Sequence, residues 1–175
     1  MDLNEEYSGV FGGILEEQTN FIEHSIKAIL NLYKNLPNKP KSIVIVGHSM
    51  GGKIAQSLLI SPNTSSFINT VITLATPVDK PVLMLDMETY NYYEKIDKFW
   101  LENRSNINKV TNTTNFCRNA KLNVAIQEEE KKLLDDKLFI TIGGGSRDMM
   151  VHSGLTDSKF SDIHVMVSVC FKSFP

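Results

Sequence analysis

Several common features are scarce or absent in this chain. Its 175 residues carry a formal net charge of −2 with Lys, Arg, Asp and Glu interspersed, so there is no basic stripe to neutralise a phosphate backbone, and a nucleic-acid partner is not expected. There is no acidic tail either. The longest apolar runs, 42–46 and 138–142, have the length of strands and fall far short of the roughly 20 residues that cross a bilayer as a helix. Met1 is followed by Asp2-Leu3-Asn4-Glu5-Glu6, which has neither the basic start nor the apolar stretch of a secretory signal; a signal, if the protein uses that route, is expected outside these residues. Only two cysteines occur, Cys117 and Cys170, without metal-ligand spacing. They are read as buried thiols in preference to one disulfide, and neither a metal nor a cofactor is expected. No repeat and no low-complexity tract interrupts the sequence.

What is present is enough apolar residue, 42% of the chain, to bury one core, as a single domain or as part of a larger one. Residues 14–33 place Ile14, Leu15, Phe21, Ile22, Ile26, Ile29, Leu30 and Tyr33 at three- and four-residue steps, the spacing of an amphipathic helix. Pro37 and Pro40 end it. Residues 42–46 form a β-branched run with no polar face, the pattern of a strand buried on both sides of a parallel sheet. A helix is predicted over 53–60 and a second strand over 67–75, closed by Thr76-Pro77. Strand, helix and strand make a βαβ unit. The stretch 78–136, rich in Asn and aromatic residues, has weak helical periodicity and reads as a cap-like insertion. Residues 137–142 return to a strand ending in Gly143-Gly144-Gly145, and a short strand is expected at 164–171. Asn63-Thr64-Ser65, Asn103-Arg104-Ser105 and Asn112-Thr113-Thr114 fit the N-glycosylation pattern, which an Asn-rich chain also produces by chance.

The chemistry is concentrated at Gly47-His48-Ser49-Met50-Gly51, a Gly-x-Ser-x-Gly pentapeptide lying between the buried strand and the helix. That context gives a short motif its weight, because a nucleophile elbow is a strand-to-helix turn. Gly47 and Gly51 are expected to leave room in the strained turn and Gly52 to let the helix pack closely. Ser49 is the candidate nucleophile. The backbone N–H of Met50, opening the helix, is the candidate oxyanion donor. His48 points away from the serine in such a turn and reads as a packing or rim residue.

In this fold the triad runs Ser, Asp or Glu, His along the chain. Asp148, reached from the 137–142 strand through Gly143–Gly145, Ser146 and Arg147, is the candidate acid; a surface ion pair with Arg147 is the alternative. His24 lies upstream in the wrong order, and His152 follows Asp148 too closely for a separate loop. His164 has the right order but falls in the 164–171 strand, so it is the one candidate base within the chain, and a base outside it stays open.

These features resemble the GPI inositol-deacylase family, the α/β-hydrolases of the endoplasmic reticulum. The resemblance is carried by Asp2-Leu3-Asn4-Glu5-Glu6 with Gly12-Gly13, by Val46-Gly47-His48-Ser49-Met50-Gly51-Gly52, by Thr73-Leu74-Ala75-Thr76-Pro77, and by Gly144-Gly145-Ser146-Arg147-Asp148 through Val151, Ser153-Gly154-Leu155-Thr156. The elbow is shared by many lipases, and the other three blocks in this order are the more specific. The resemblance implies a three-layer α/β-hydrolase fold with a mostly parallel sheet, and a serine hydrolase with Ser49 as nucleophile and Asp148 as acid. Its substrate would be a lipid ester, on a GPI lipid or GPI-anchored protein, at the lumenal face of the endoplasmic-reticulum membrane.

It also implies that residues 1–175 are part of the domain. The N-terminal strands, the second oxyanion amide, the catalytic histidine segment and the membrane spans are expected outside the chain. The family usually has a histidine after Thr-Pro, where this sequence has Val78-Asp79. A non-catalytic paralogue with a lipid- or protein-binding surface, and a generic lipase or acyltransferase, remain the alternatives.

Overall fold

The computed structural model describes residues 1, 11–105, 132–145 and 148–167. The Asp2–Glu6 block, Cys117, Cys170, the Asn112 triplet, Ser146, Arg147 and residues 168–171 of the last expected strand lie outside them. A 3-10 turn, Gly12–Ile14, leads into α1 (Leu15–Leu32), followed by β1 (Ile43–His48), α2 (Met50–Ser57), the short α3 (Pro62–Ser65) and β2 (Ile68–Leu74). Then come α4 (Met87–Asn103), β3 (Leu138–Gly143), the short α5 (Ser153–Thr156) and β4 (Ile163–Met166). The four strands form one sheet in the order β1-β2-β3-β4, parallel throughout.

Because neighbours in a strand point to opposite faces, register fixes what faces the helices. Ile45, Val71 and Phe139 make one inward row, and Gly47, Thr73, Thr141 and His164 make the next. Ile54, Leu58 and Leu59 from α2 and its following turn pack on these rows with Tyr92, Ile96 and Trp100 from α4. Trp100 is the centre of the core. It is fully buried, its ring centroid lies 4.8 Å from that of Phe139 and 5.7 Å from that of Phe160, and its Nε1 donates to the Gln56 carbonyl at 3.4 Å.

The burial expected for β1 changes here. The β1 run is apolar but is not covered on both sides: Val44 and Val46 are each 58% exposed. All described helices lie on the other face, so the described residues make up the parallel sheet and one helix layer of the expected α/β fold. Phe21, Ile29 and Tyr33 of the α1 stripe are also exposed. Ile22, Ile26 and Ile29 line an open groove of about 620 Å³ along the β1 edge with Val44 and Val46.

Of the 78–136 stretch, expected to be a cap-like insertion, one long helix is described. Met87–Asn103 connects β2 to β3 and buries Tyr92, Tyr93, Ile96 and Trp100, the crossover helix that a parallel pair requires. Its start is fixed by Asp86, which accepts from Thr89 N at 2.6 Å and Gly12 N at 2.9 Å. These amides, Thr89 first, hold the carboxyl below its ordinary range. The periodicity looked weak because Asn91, Glu94, Lys95 and Lys98 interrupt the aromatic stripe. The Asn103 triplet is a poor glycan acceptor, since Asn103 Nδ2 donates to the Phe99 carbonyl at 2.9 Å and Arg104 is buried.

Replacing Trp100 by Ala empties the centre of this core and is expected to cost about 3–5 kcal/mol, measured by denaturant unfolding of the protein carrying this domain. A loss below about 1 kcal/mol, the scale of an ordinary surface substitution, would show that α4 does not depend on it.

Candidate active site

At the carboxyl end of β1 the chain reverses into α2 within one residue. Ser49 has φ 51 and ψ −129, a conformation L-residues rarely adopt. Such strain, of order 1–3 kcal/mol, persists only where the surroundings enforce it. Here the Ser49 N–H donates to the Leu74 carbonyl at 2.9 Å and its carbonyl accepts from Gly52 N at 3.0 Å. The close approach behind the turn is tight: a Cβ on Gly47 would stand 2.4 Å from the Gly51 carbonyl oxygen, and one on Gly52 would stand 2.0 Å from Thr76 Oγ1.

Gly51 differs from the sequence expectation, because nothing lies within 4 Å of where its Cβ would be. It faces the open groove beside β1, so among the described residues Gly47 and Gly52 are the sterically required pair.

Met50 is the first residue of α2 and its N–H has no preceding turn to bond within the helix. Its side chain is buried, with Sδ 3.6 Å from Tyr93 Oη, so only its backbone is available for chemistry. His48 is exposed on the opposite face of the sheet, as the turn geometry required. The neighbouring strand ends in a second strained residue: Ala75 has φ 45, and its N–H donates to the Ile142 carbonyl at 2.8 Å.

Asp148 lies in the turn after β3, on the same carboxyl edge as Ser49. Its Oδ1 accepts from Val151 N at 2.8 Å and Met150 N at 3.1 Å. A Cβ on Gly144 would stand 2.5 Å from its Oδ2, and Gly145, at φ 78, lies against the Val167 carbonyl. The glycines therefore let the loop fold tightly over the carboxylate, where the sequence suggested only flexibility.

His164 does not join them. It sits within β4, in the inward row with Gly47, Thr73 and Thr141, and its Nδ1 is 2.8 Å from the hydroxyl of the fully buried Thr141. Among the described residues no hydrogen bond links it to Ser49 or Asp148, so the geometry lends its reading as the base no support. A strand residue facing the helix layer cannot reach over the carboxyl edge. His152 caps α5 instead, with Nδ1 3.5 Å from Gly154 N, and His24 Nδ1 is 2.7 Å from the Asn20 carbonyl. A histidine delivered by a loop after β4 would follow Met166, and the sequence has none beyond His164.

One buried group went unread in the sequence. Lys53, on α2, is 0% exposed and donates from Nζ to the Val78 carbonyl at 2.6 Å and to Asp97 Oδ1 at 3.0 Å. Burial pushes its pKa down, and Asp97 opposes the shift. Asp79, which accepts from Ser158 Oγ at 2.7 Å, is pushed up chiefly by burial. The available signal was the absence of any other charge from residues 50–60, a helix with no solvent face.

Residues 1–174 match the family described as PGAP1-like alpha/beta domain. The chain is 39% identical to a GPI inositol-deacylase of Drosophila melanogaster over 96% of its own length and 17% of the relative's. It is 35% identical to that of Mus musculus over 89% of its length and 14% of the relative's. With that of Schizosaccharomyces pombe the identity is 30% over 86% and 12%. The chain thus spans about a sixth or less of the curated relatives it matches. With its parallel sheet, strained serine turn and glycine-framed Asp148 loop, the chain belongs to the PGAP1-like alpha/beta domain family.

Proposed function

We propose that this domain is the hydrolase portion of a GPI inositol-deacylase, with Ser49 as the nucleophile that removes the acyl chain esterified to the inositol of a GPI anchor. The observation that carries the reading is the Ser49 elbow, a strained serine between a parallel strand and the helix opened by Met50. The substrate class follows the names of the relatives. A lipid substrate on a GPI anchor places the reaction at a membrane, and the lumenal face of the endoplasmic reticulum is part of the same proposal. No described helix is long and apolar enough to cross a membrane, so attachment would come from other segments.

In the proposed reaction Ser49 Oγ attacks the acyl carbonyl and gives its proton to a histidine outside the described residues. The Met50 N–H donates to the oxyanion of the tetrahedral intermediate. Asp148 orients the histidine and stabilises its imidazolium form. Collapse expels the inositol oxygen, which takes the proton back, and leaves the acyl group on Ser49. Water then repeats the sequence, releasing the fatty acid and regenerating the serine.

A second reading, a lipid-binding domain without catalysis, is favoured by one observation: no described histidine is bonded to Ser49 or Asp148. Labelling by a fluorophosphonate separates the two, because it requires an activated serine but no particular acyl substrate. In the full-length protein, Ser49→Ala is expected to abolish labelling and to reduce deacylation about a thousandfold or more. Asp148→Asn is expected to lower deacylation by about a hundred- to ten-thousandfold. Activity retained in either variant would remove that residue from its role. His164→Gln, which keeps a hydrogen-bonding side chain beside Thr141, is expected to leave the labelling rate unchanged; loss of labelling in a folded variant would return His164 to the site.

A further inference from the structure

Lys53 lies one helical turn beyond Ser49 and has no part in the proposed hydrolysis. A fully buried ammonium is costly unless paired, so its partners indicate what the cost secures. Nζ donates to the Val78 carbonyl at 2.6 Å and Asp97 Oδ1 at 3.0 Å, and stands 4.3 Å from the centroid of the Tyr93 ring. Tyr93 Oη donates to the Pro77 carbonyl at 2.8 Å. Two successive carbonyls are thus held by side chains, one from α2 and one from α4.

The same short segment is held on its other side. Val78 N–H donates to the Leu155 carbonyl at 2.8 Å, and Ser158 Oγ donates to Asp79 Oδ1 at 2.7 Å. Leu155 belongs to α5, which directly follows the loop of Asp148. At its head, Thr76 packs so closely on Gly52 that no Cβ fits between them. Residues 76–79 therefore form a strap, running from the nucleophile helix to the segment behind the acid.

Resting on the serine-hydrolase reading above, we propose that Lys53 is a positioning residue: it fixes the strap to the helix bearing the Met50 amide and so keeps the Asp148 segment in register with Ser49. If the Lys53–Asp97 pair were purely stabilising, uncharged side chains in place of both partners would match it, since a buried ion pair rarely outperforms good apolar packing, whereas removing one partner alone is destabilising in any case. A positioning lysine would not be matched, because the Val78 carbonyl would lose its donor and the strap its attachment to α2. Small displacements of a reacting group from a distance cost up to about a hundredfold in rate.

The test uses the full-length protein with three readouts: the rate of fluorophosphonate labelling of Ser49, kcat and KM for deacylation, and Tm. Lys53→Met is expected to lower labelling and kcat by about ten- to a hundredfold with KM little changed. Lys53→Met combined with Asp97→Asn removes both charges and is expected to recover part of the Tm lost in Lys53→Met, the Val78 carbonyl still lacking its donor, while labelling and kcat stay low. This double variant also keeps the proposal testable if the single one does not fold. Wild-type labelling in either variant, or activity that recovers in step with Tm, overturns the proposal and leaves the serine-hydrolase reading standing. Failure of the wild-type protein to label overturns both.

Discussion

Strand β1 can turn into α2 at a single residue only because the backbone behind Ser49 is packed to contact. The serine is held at φ 51 by the Leu74 carbonyl on one side and by the Gly52 amide on the other. Gly47 and Gly52 supply the space in which Thr76 and the Gly51 carbonyl approach. Strain of this kind persists only where the surroundings enforce it, and here it sets Ser49 at the carboxyl edge directly before Met50, which opens α2. Beside it β2 ends level with β1, Leu74 opposite His48, and passes into its own left-handed residue, Ala75, tied to β3 by the Ile142 carbonyl. The elbow is thus a property of three adjacent strands.

The core supports that edge from one side. Trp100 and Phe139 join α4 to β3, while Ile54 and Leu58 join α2 to the sheet. Apolar burial of this kind is the dominant favourable term in folding, and here it is concentrated between one helix layer and one sheet face. The opposite face presents Val44, Val46, Ile163 and Val165.

The polar groups of the site divide by their place on the strands. Ser49 and Asp148 come just after strand ends, where loops can bring them over the edge, whereas His164 is within a strand and is committed to Thr141 by the register. Lys53 belongs to neither group. It is buried beneath the edge, where its ammonium joins α2 to the strap carrying Val78 and Asp79.

The sequence by itself determined the elements whose signals are local. A β-branched run, three glycines (Gly47, Gly51 and Gly52) and a proline pair placed β1, the elbow and the C-terminal end of α1 to within a few residues, and Ser49 followed from them. Asp148 was placed on its loop by the glycines that precede it. The tertiary structure decided what depends on partners distant in the chain. It showed that Val44 and Val46 are uncovered, that α4 is a crossover helix, that His164 faces inward, that Gly51 is unconfined and that Lys53 is buried. Spacing records which face of an element a residue occupies, but only packing settles what lies against that face. For a lysine at the centre of an apolar helix, that difference separates a surface charge from a buried link between two parts of the site.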